Sequence, residues 1–202
     1  MDVELLQHSN LKVCAHAIRT CWQSFDKSDD GGEKDKELID RVGNKFKHAS
    51  TLEHITYTFY ISGVSRALLQ ELARHRMASP SVKSTRYTLK ELKDSDKEID
   101  YEKFLVYTGV EAVDEASRLA LDNLKEILLD GVSNDKAKYC LPESYKTELT
   151  WTINARSLQN FISLRSSKAA LWEIRDLANK IYLVLPEDHK YLFEDCIDQK
   201  EL

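Results

Sequence analysis

ITYTFYIS, residues 55–62, alternates, with Tyr57, Phe59 and Ile61 on one side. A period of two over that length marks a strand with one face in a core. ELTWTINAR, residues 148–156, repeats the pattern: Leu149, Trp151 and Ile153 point one way, and Thr150, Thr152, Asn154 and Arg156 the other. Residues 2–7 read as a further short strand. The rest follows helical spacing. Asn10 caps a helix through Trp22, with Leu11, Cys14, Ile18 and Cys21 on one side. Residues 26–35 (DKSDDGGEKD) read as a flexible loop. Asp35 then caps a helix to about His48, striped by Leu38, Ile39, Val42 and Phe46. Helical periods continue over 64–74 (Val64, Leu68, Leu72), 111–130 up to Gly131, 157–165 and 167–185, and another helix starts at Pro186. Pro80 makes 79–87 a loop, and 94–110 is ambiguous. Long helices and few strands predict an α+β fold: a single domain, 1–202, of helices around a small, mostly antiparallel sheet.

The formal net charge of −5 argues against general nucleic-acid binding. No apolar run approaches membrane-spanning length, and the start, MDVELLQHSN, has no apolar signal core, which predicts a cytoplasmic protein without membrane contact. Cys14, Cys21, Cys140 and Cys196 form no CxxC pair, so neither a disulfide framework nor a thiolate zinc site is expected. Cys14 and Cys21, seven apart in one helix, read as buried thiols.

The charge is unevenly spread. Residues 66–93 carry +5, leaving −10 on the rest of the chain. Within them, ELARHRMASPSVKSTRY (71–87) places Arg74, His75, Arg76, Lys83 and Arg86 among Ser81, Ser84 and Thr85. Arginines suit a helix C-terminus, where the last carbonyls are partly negative. Arginine forks and hydroxyls in one loop also match the oxygens of a phosphate. No GxxxxGK[ST] or GxGxxG motif is present. Two further groups stand out: NARSLQNFISLR (154–165), with Asn154, Arg156, Asn160 and Arg165, and KHASTLEH (47–54), with His48, Ser50, Glu53 and His54. The first is either an exposed helix face or a ligand wall. The second is either a capped turn or, with His75, a metal site, although its spacing is not that of HExxH.

Taken in order, these stretches resemble the flavin-dependent thymidylate synthase family. The family signature is Arg-His-Arg, seven or eight residues, then Ser. Here it stands as Arg74-His75-Arg76, the seven residues Met77 to Lys83, and Ser84, followed by Arg86. The other matches are His48…Glu53-His54 and Asn154-Ala155-Arg156-Ser157-Leu158…Asn160-Phe161…Leu164-Arg165. The resemblance implies synthesis of dTMP from dUMP. The carbon comes from 5,10-methylenetetrahydrofolate, and FAD reduced by NADPH carries the hydride. It also implies a homotetramer with sites shared between subunits. It assigns His48, Ser50, Arg74, His75, Arg76, Asn154, Arg156 and Asn160 to the cofactor. Glu71, Arg74, Ser84, Thr85, Arg86, Lys138 and Arg165 fall to dUMP, with Arg165 on the uracil ring. This chain departs from the family pattern at several points: Glu71 stands for a frequent Gln, Val82 for Glu, Thr85 for Gly, Lys138 for Arg, Ala169 for His, Cys21 for Ser, and Thr51-Leu52 for Pro-Phe.

The chemistry agrees with the residues. Methylation requires uracil carbon 5 to act as a nucleophile, and no cysteine lies in or beside these motifs to add at carbon 6. A fixed guanidinium that stabilises negative charge on the ring is the alternative, and Arg165 is the candidate. The hydride must come from a cofactor, because no side chain supplies one. Three other functions share some of these features: a nucleotide-binding regulator without chemistry, a hydrolase with a metal on His48, His54 and His75, and an RNA-binding module.

Overall fold

The alternation at 55–62 is a strand, and it runs further than the pattern shows. In the computed structural model, which describes residues 1–95 and 98–197, the elements are β1 (Asp2–His8), α1 (Leu11–Thr20), α2 (Glu33–Ile39), β2 (Thr56–Ser65), α3 (Arg66–Leu72), β3 (Ala78–Val82), α4 (Thr85–Thr88), α5 (Lys90–Lys93), α6 (Tyr101–Phe104), α7 (Glu111–Leu129), α8 (Asn134–Ala137), β4 (Lys146–Asn154), α9 (Ala155–Arg165) and α10 (Trp172–Val184). The strands form one small antiparallel sheet in the order β1-β2-β4-β3, and the fold is α+β, as expected.

The described residues divide into two compact units. One comprises Met1–Ile61, Ala73–Pro80 and Thr150–Leu202; the other, Ser62–Leu72 and Ser81–Leu149. In the first, Tyr57, Phe59 and Ile61 of β2 are fully buried, and Trp151 and Ile153 of β4 are nearly so. Each such side chain contributes about 1.5–3 kcal/mol by leaving water. The rings form a chain: Phe59 lies 6.5 Å from Trp151, and Trp151 lies 5.1 Å from Phe161 of α9. In the second unit, Leu121, Leu124 and Leu128 of α7 pack with Leu89, Leu92, Phe104, Leu105 and Tyr145.

Several expectations are corrected. Val64 and Ser65 belong to β2, not to the following helix. Gly63 takes φ +66°, and the burial alternation slips by one residue there, so the strand's last residues mimic a helical period. Ser65 Oγ then accepts from Leu68 N at 3.0 Å and starts α3. Asn10 does cap α1, but that helix ends at Thr20, and Cys21 is exposed while Cys14 is buried.

Asp35 is not a cap. Asp29 does that work, accepting from Lys34 N at 2.8 Å and Asp35 N at 3.1 Å. Asp35 is instead fully buried. It takes Arg19 Nε at 2.9 Å and Nη2 at 2.6 Å, Ser28 Oγ at 2.6 Å and Gly31 N at 3.0 Å. That cluster ties down the stretch read as a flexible loop, and its hydrogen bonds hold the Asp35 carboxyl below the usual range. Beyond α2 the chain winds a π-turn, Asp40–Lys45. A Cβ on Gly43 would come within 2.7 Å of Leu52 Cδ2, so a side chain there would force the buried Leu52 to shift where the π-turn meets the Ala49–His54 turn.

The stretch 79–87 is not a loop throughout: Ala78–Val82 is an edge strand, where proline is tolerated, and Thr85 opens α4. Of 94–110, residues 96 and 97 lie outside the described residues. The remainder contains α6 and a bridge from Leu105 to Tyr145. Asp114 ties Thr108 and Gly109 to the start of α7, and Gly131, at φ +87°, ends that helix as predicted. The helix expected over 167–185 begins only at Trp172, and Pro186 leads into a 3-10 turn, Glu187–Leu192.

Candidate functional site

In the first unit, the segment Ala73–Pro80, which runs into the start of β3, carries Arg74, His75 and Arg76. This segment faces the first turns of α9. Glu53, Arg74, His75, Arg76, Met77, Arg156, Ser157 and Asn160 line a cleft of about 480 Å³. The two arginine-rich stretches, about eighty residues apart in sequence, are thus brought together.

Local chemistry fixes the α9 side. Asn154, the last residue of β4, has extended backbone and caps α9, its Oδ1 accepting from Ser157 N at 2.9 Å. The cap turns the chain so that Arg156 and Asn160, four residues apart, share one helix face. Arg156 Nη1 donates to Glu53 Oε1 at 2.7 Å, and both side chains are about half exposed. Arg165, the last residue of α9, donates from Nε to His75 Nε2 at 3.0 Å. The His75 ring stands edge-on to Phe161, with centroids 4.9 Å apart and planes at 78°.

Other residues of the family motifs lie elsewhere. Asn154 is occupied with its cap and does not line the cleft. His48 is exposed at the start of the Ala49–His54 turn, with its N–H on Val42 O and its carbonyl accepting from Thr51. It lines a different, more apolar cleft of about 660 Å³ with Trp22 and Phe46. Ser50 is exposed on the same turn.

In the second unit, Ser84 precedes α4 and Arg86 lies within it. Thr85 takes an ordinary helical conformation, so the frequent family glycine is not needed for this backbone path. Arg86 Nε contacts Asp135 Oδ1 at 2.8 Å, and its carbonyl accepts from Asn134 Nδ2 at 2.9 Å. Lys138 follows α8 directly and lies over the Tyr139 ring. Lys83 contacts Glu91 at 3.2 Å and Glu148 at 3.7 Å. Glu71 is on α3.

Sequence reasoning placed Glu53 only in the neighbourhood of the cofactor, left Met77 and Ser157 without a site role, and did not single out Asp135. Glu53 alone had a signal, its place between two histidines. The carboxylates on Arg156 and Arg86 are contacts made by folding. Cys14 donates to Thr51 O, and burial pushes its thiol up to about 12, so it is no nucleophile at neutral pH. Among the described residues, no group of three His, Cys, Asp or Glu side chains is placed to hold a metal ion. No helix among them is long and apolar enough to cross a membrane.

Comparison with known proteins gives a consistent picture. Residues 4–188 match the family model for the thymidylate synthase complementing protein. The chain is 69% identical over 205 residues to the flavin-dependent thymidylate synthase of Wolinella succinogenes, covering 99% of this chain and 100% of that one. It is 55% identical to the flavin-dependent thymidylate synthase of Helicobacter pylori, covering 98% and 99%. Its structure is similar to the crystal structure of flavin-dependent thymidylate synthase from Helicobacter pylori complexed with FAD and dUMP. The TM-score is 0.93 at 54% identity, with 98% of this chain and 100% of that chain covered.

Proposed function

Because the chain belongs to the flavin-dependent thymidylate synthase family, we propose that it converts dUMP to dTMP by reductive methylation. Its carbon donor is 5,10-methylenetetrahydrofolate, and its hydride comes from FAD that NADPH has reduced. The observation that carries this reading is the cleft where Arg74, His75 and Arg76 meet Arg156 and Asn160, in a chain whose fold is that of a relative solved with FAD and dUMP.

The donor set fits a diphosphate. Three arginines and an asparagine line the cleft, and among the described residues its one carboxylate, Glu53, is bound to Arg156. These residues would hold FAD, with His48 and Ser50 assigned to the same cofactor by the family motif and Asn154 shaping the wall by capping α9. FAD, when bound, supplies the hydride. For the nucleotide, the family motif assigns Ser84, Thr85 and Arg86 to the phosphate, Glu71, Arg74 and Lys138 to further contacts with dUMP, and Arg165 to the base. Arg165 is the catalytic residue of this proposal: its fixed positive charge stabilises electron density pushed into the uracil ring, which raises the nucleophilicity of carbon 5. Among the described residues no cysteine lines the cleft, which suits a mechanism without a thiolate.

The family model spans both compact units, which supports one functional domain over 1–202. A homotetramer with sites shared between subunits, in the cytoplasm and without nucleic-acid or membrane partners, completes the proposal. The test is a spectrum of the purified chain, followed by anaerobic mixing of the reduced protein with dUMP and methylenetetrahydrofolate. Flavin absorbance that returns with dTMP is the expected result. A colourless chain that ignores added FAD would refute the proposal.

A further inference from the structure

The proposed function gives Arg165 the uracil base, and in this structure its Nε–H is already directed at another side chain. That acceptor is His75 Nε2, at 3.0 Å. A neutral imidazole has one N–H and one lone pair, so the accepting Nε2 leaves the ring proton on Nδ1. A charged imidazolium has no lone pair and would face the guanidinium as a second cation. The contact therefore exists only with the neutral ring.

The ring is held as well as bonded. Phe161 meets it edge-on at 4.9 Å. Phe161 is itself fully buried and packed on Trp151, which is 1% exposed. Phe161 and Arg165 are four apart in α9 and share a face. One helix thus supplies both the wall that orients the His75 ring and the donor that the ring receives.

We propose that His75 is a positioning residue for Arg165: by taking Nε–H, it turns the guanidinium so that Arg165 meets the pyrimidine end-on, through its terminal nitrogens. An arginine can offer a two-acceptor edge either its Nε side or its terminal pair. With Nε committed to His75, only the terminal pair can address the ligand. The inference rests on the reading that Arg165 engages the base.

Two substitutions separate this role from a purely structural or cofactor-binding one. His75→Phe keeps a flat ring against Phe161 but has no acceptor. His75→Gln gives up the ring but offers Oε1 in its place. Per bound flavin, read from its absorbance, His75→Phe is expected to lower kcat about a hundredfold, the scale for a misplaced reacting group, with dUMP affinity within a few-fold. His75→Gln should restore most of kcat. In an Arg165→Lys background, adding His75→Phe should cost little more, because both changes remove one interaction. Loss of FAD in step with turnover would overturn the inference. So would equal losses in the Gln and Phe variants, or a full further loss in the Lys background. Wild-type turnover in both Arg165→Ala and Arg165→Lys would instead refute the assignment of the base to Arg165, and the inference would fall with it. That failure is distinct, because it shows with His75 intact.

Discussion

His189 ties the 3-10 turn Glu187–Leu192 to β2, and the tie depends on pH. Its Nδ1 shares a 2.8 Å hydrogen bond with Tyr57 Oη, and the residue is only 1% exposed. Burial pushes the imidazole down from 6.5 to about 4; His8 and Lys36 add to the effect, and Asp188, 4.0 Å from Nε2, opposes it. The unfolded chain therefore binds this proton near 6.5, and the folded chain only near 4. Between those values the unfolded state holds more protons, so stability rises with pH and is lost as pH falls through 6.5. The gap is worth about 3 kcal/mol at full protonation, of which about 2 kcal/mol is lost between pH 7 and pH 5. Asp29, Asp35 and Asp114 are held below their ordinary 3.8, so their losses come at lower pH, outside that window. Urea denaturation at pH 7, 6 and 5 measures the effect. In His189→Gln, which keeps a hydrogen-bonding group for Tyr57 and has no titration, the drop between pH 7 and pH 5 should shrink by about 2 kcal/mol. Identical pH slopes in the two proteins would refute the reasoning. The site has a stake in the result: Gln159 of α9 donates to Leu192 O at 2.6 Å, so the helix carrying Arg156, Asn160 and Arg165 grips the same turn.

Arg86→Ala should weaken dUMP at least about tenfold, the worth of a hydrogen bond to a charged group, and leave FAD affinity unchanged; titration with each ligand checks it, and the opposite pattern would reassign α4 to the cofactor. Asp135→Asn removes the anion that competes for Arg86 Nε. It should tighten dUMP while changing stability by less than about 1 kcal/mol, because both partners are more than half exposed; weaker dUMP binding would make Asp135 a brace instead of a competitor. Asp35→Ala strands the buried Arg19 guanidinium and should cost about 3–5 kcal/mol in chemical denaturation, whereas a loss below about 1 kcal/mol would mean that water reaches the pair.

The strands were legible because β2 and β4 bury alternate residues, and a period of two survives inspection by eye. The rest of β2 was hidden by Gly63, whose positive φ shifts the alternation and lets Val64, Leu68 and Leu72 pass for one helix face. The cap of α2 was misplaced because Asp29 and Asp35 are both plausible caps. Only the buried Arg19, contributed by α1, decides which carboxylate turns inward. In the site, the arginines could be named from their spacing and the family motifs. The contacts of Arg156 with Glu53 and of Arg165 with His75 span 103 and 90 residues. No local pattern encodes such pairings; they follow from where the sheet delivers α9. Cys21 shows the reverse error: a seven-residue spacing from Cys14 implies a shared face only while the helix lasts, and α1 ends one residue before it.

Pro80 has a last consequence. It stands inside β3, at one margin of the sheet, and its nitrogen bears no hydrogen. A stray strand approaching that margin would find a donor missing in mid-ladder and leave one of its own carbonyls dry and unpaired. The margin is therefore a poor template for fibril growth, even though the residues around it are extended and exposed. Crowded molecules of this protein are discouraged from zipping together at the very segment that leads into Lys83, Ser84 and Arg86.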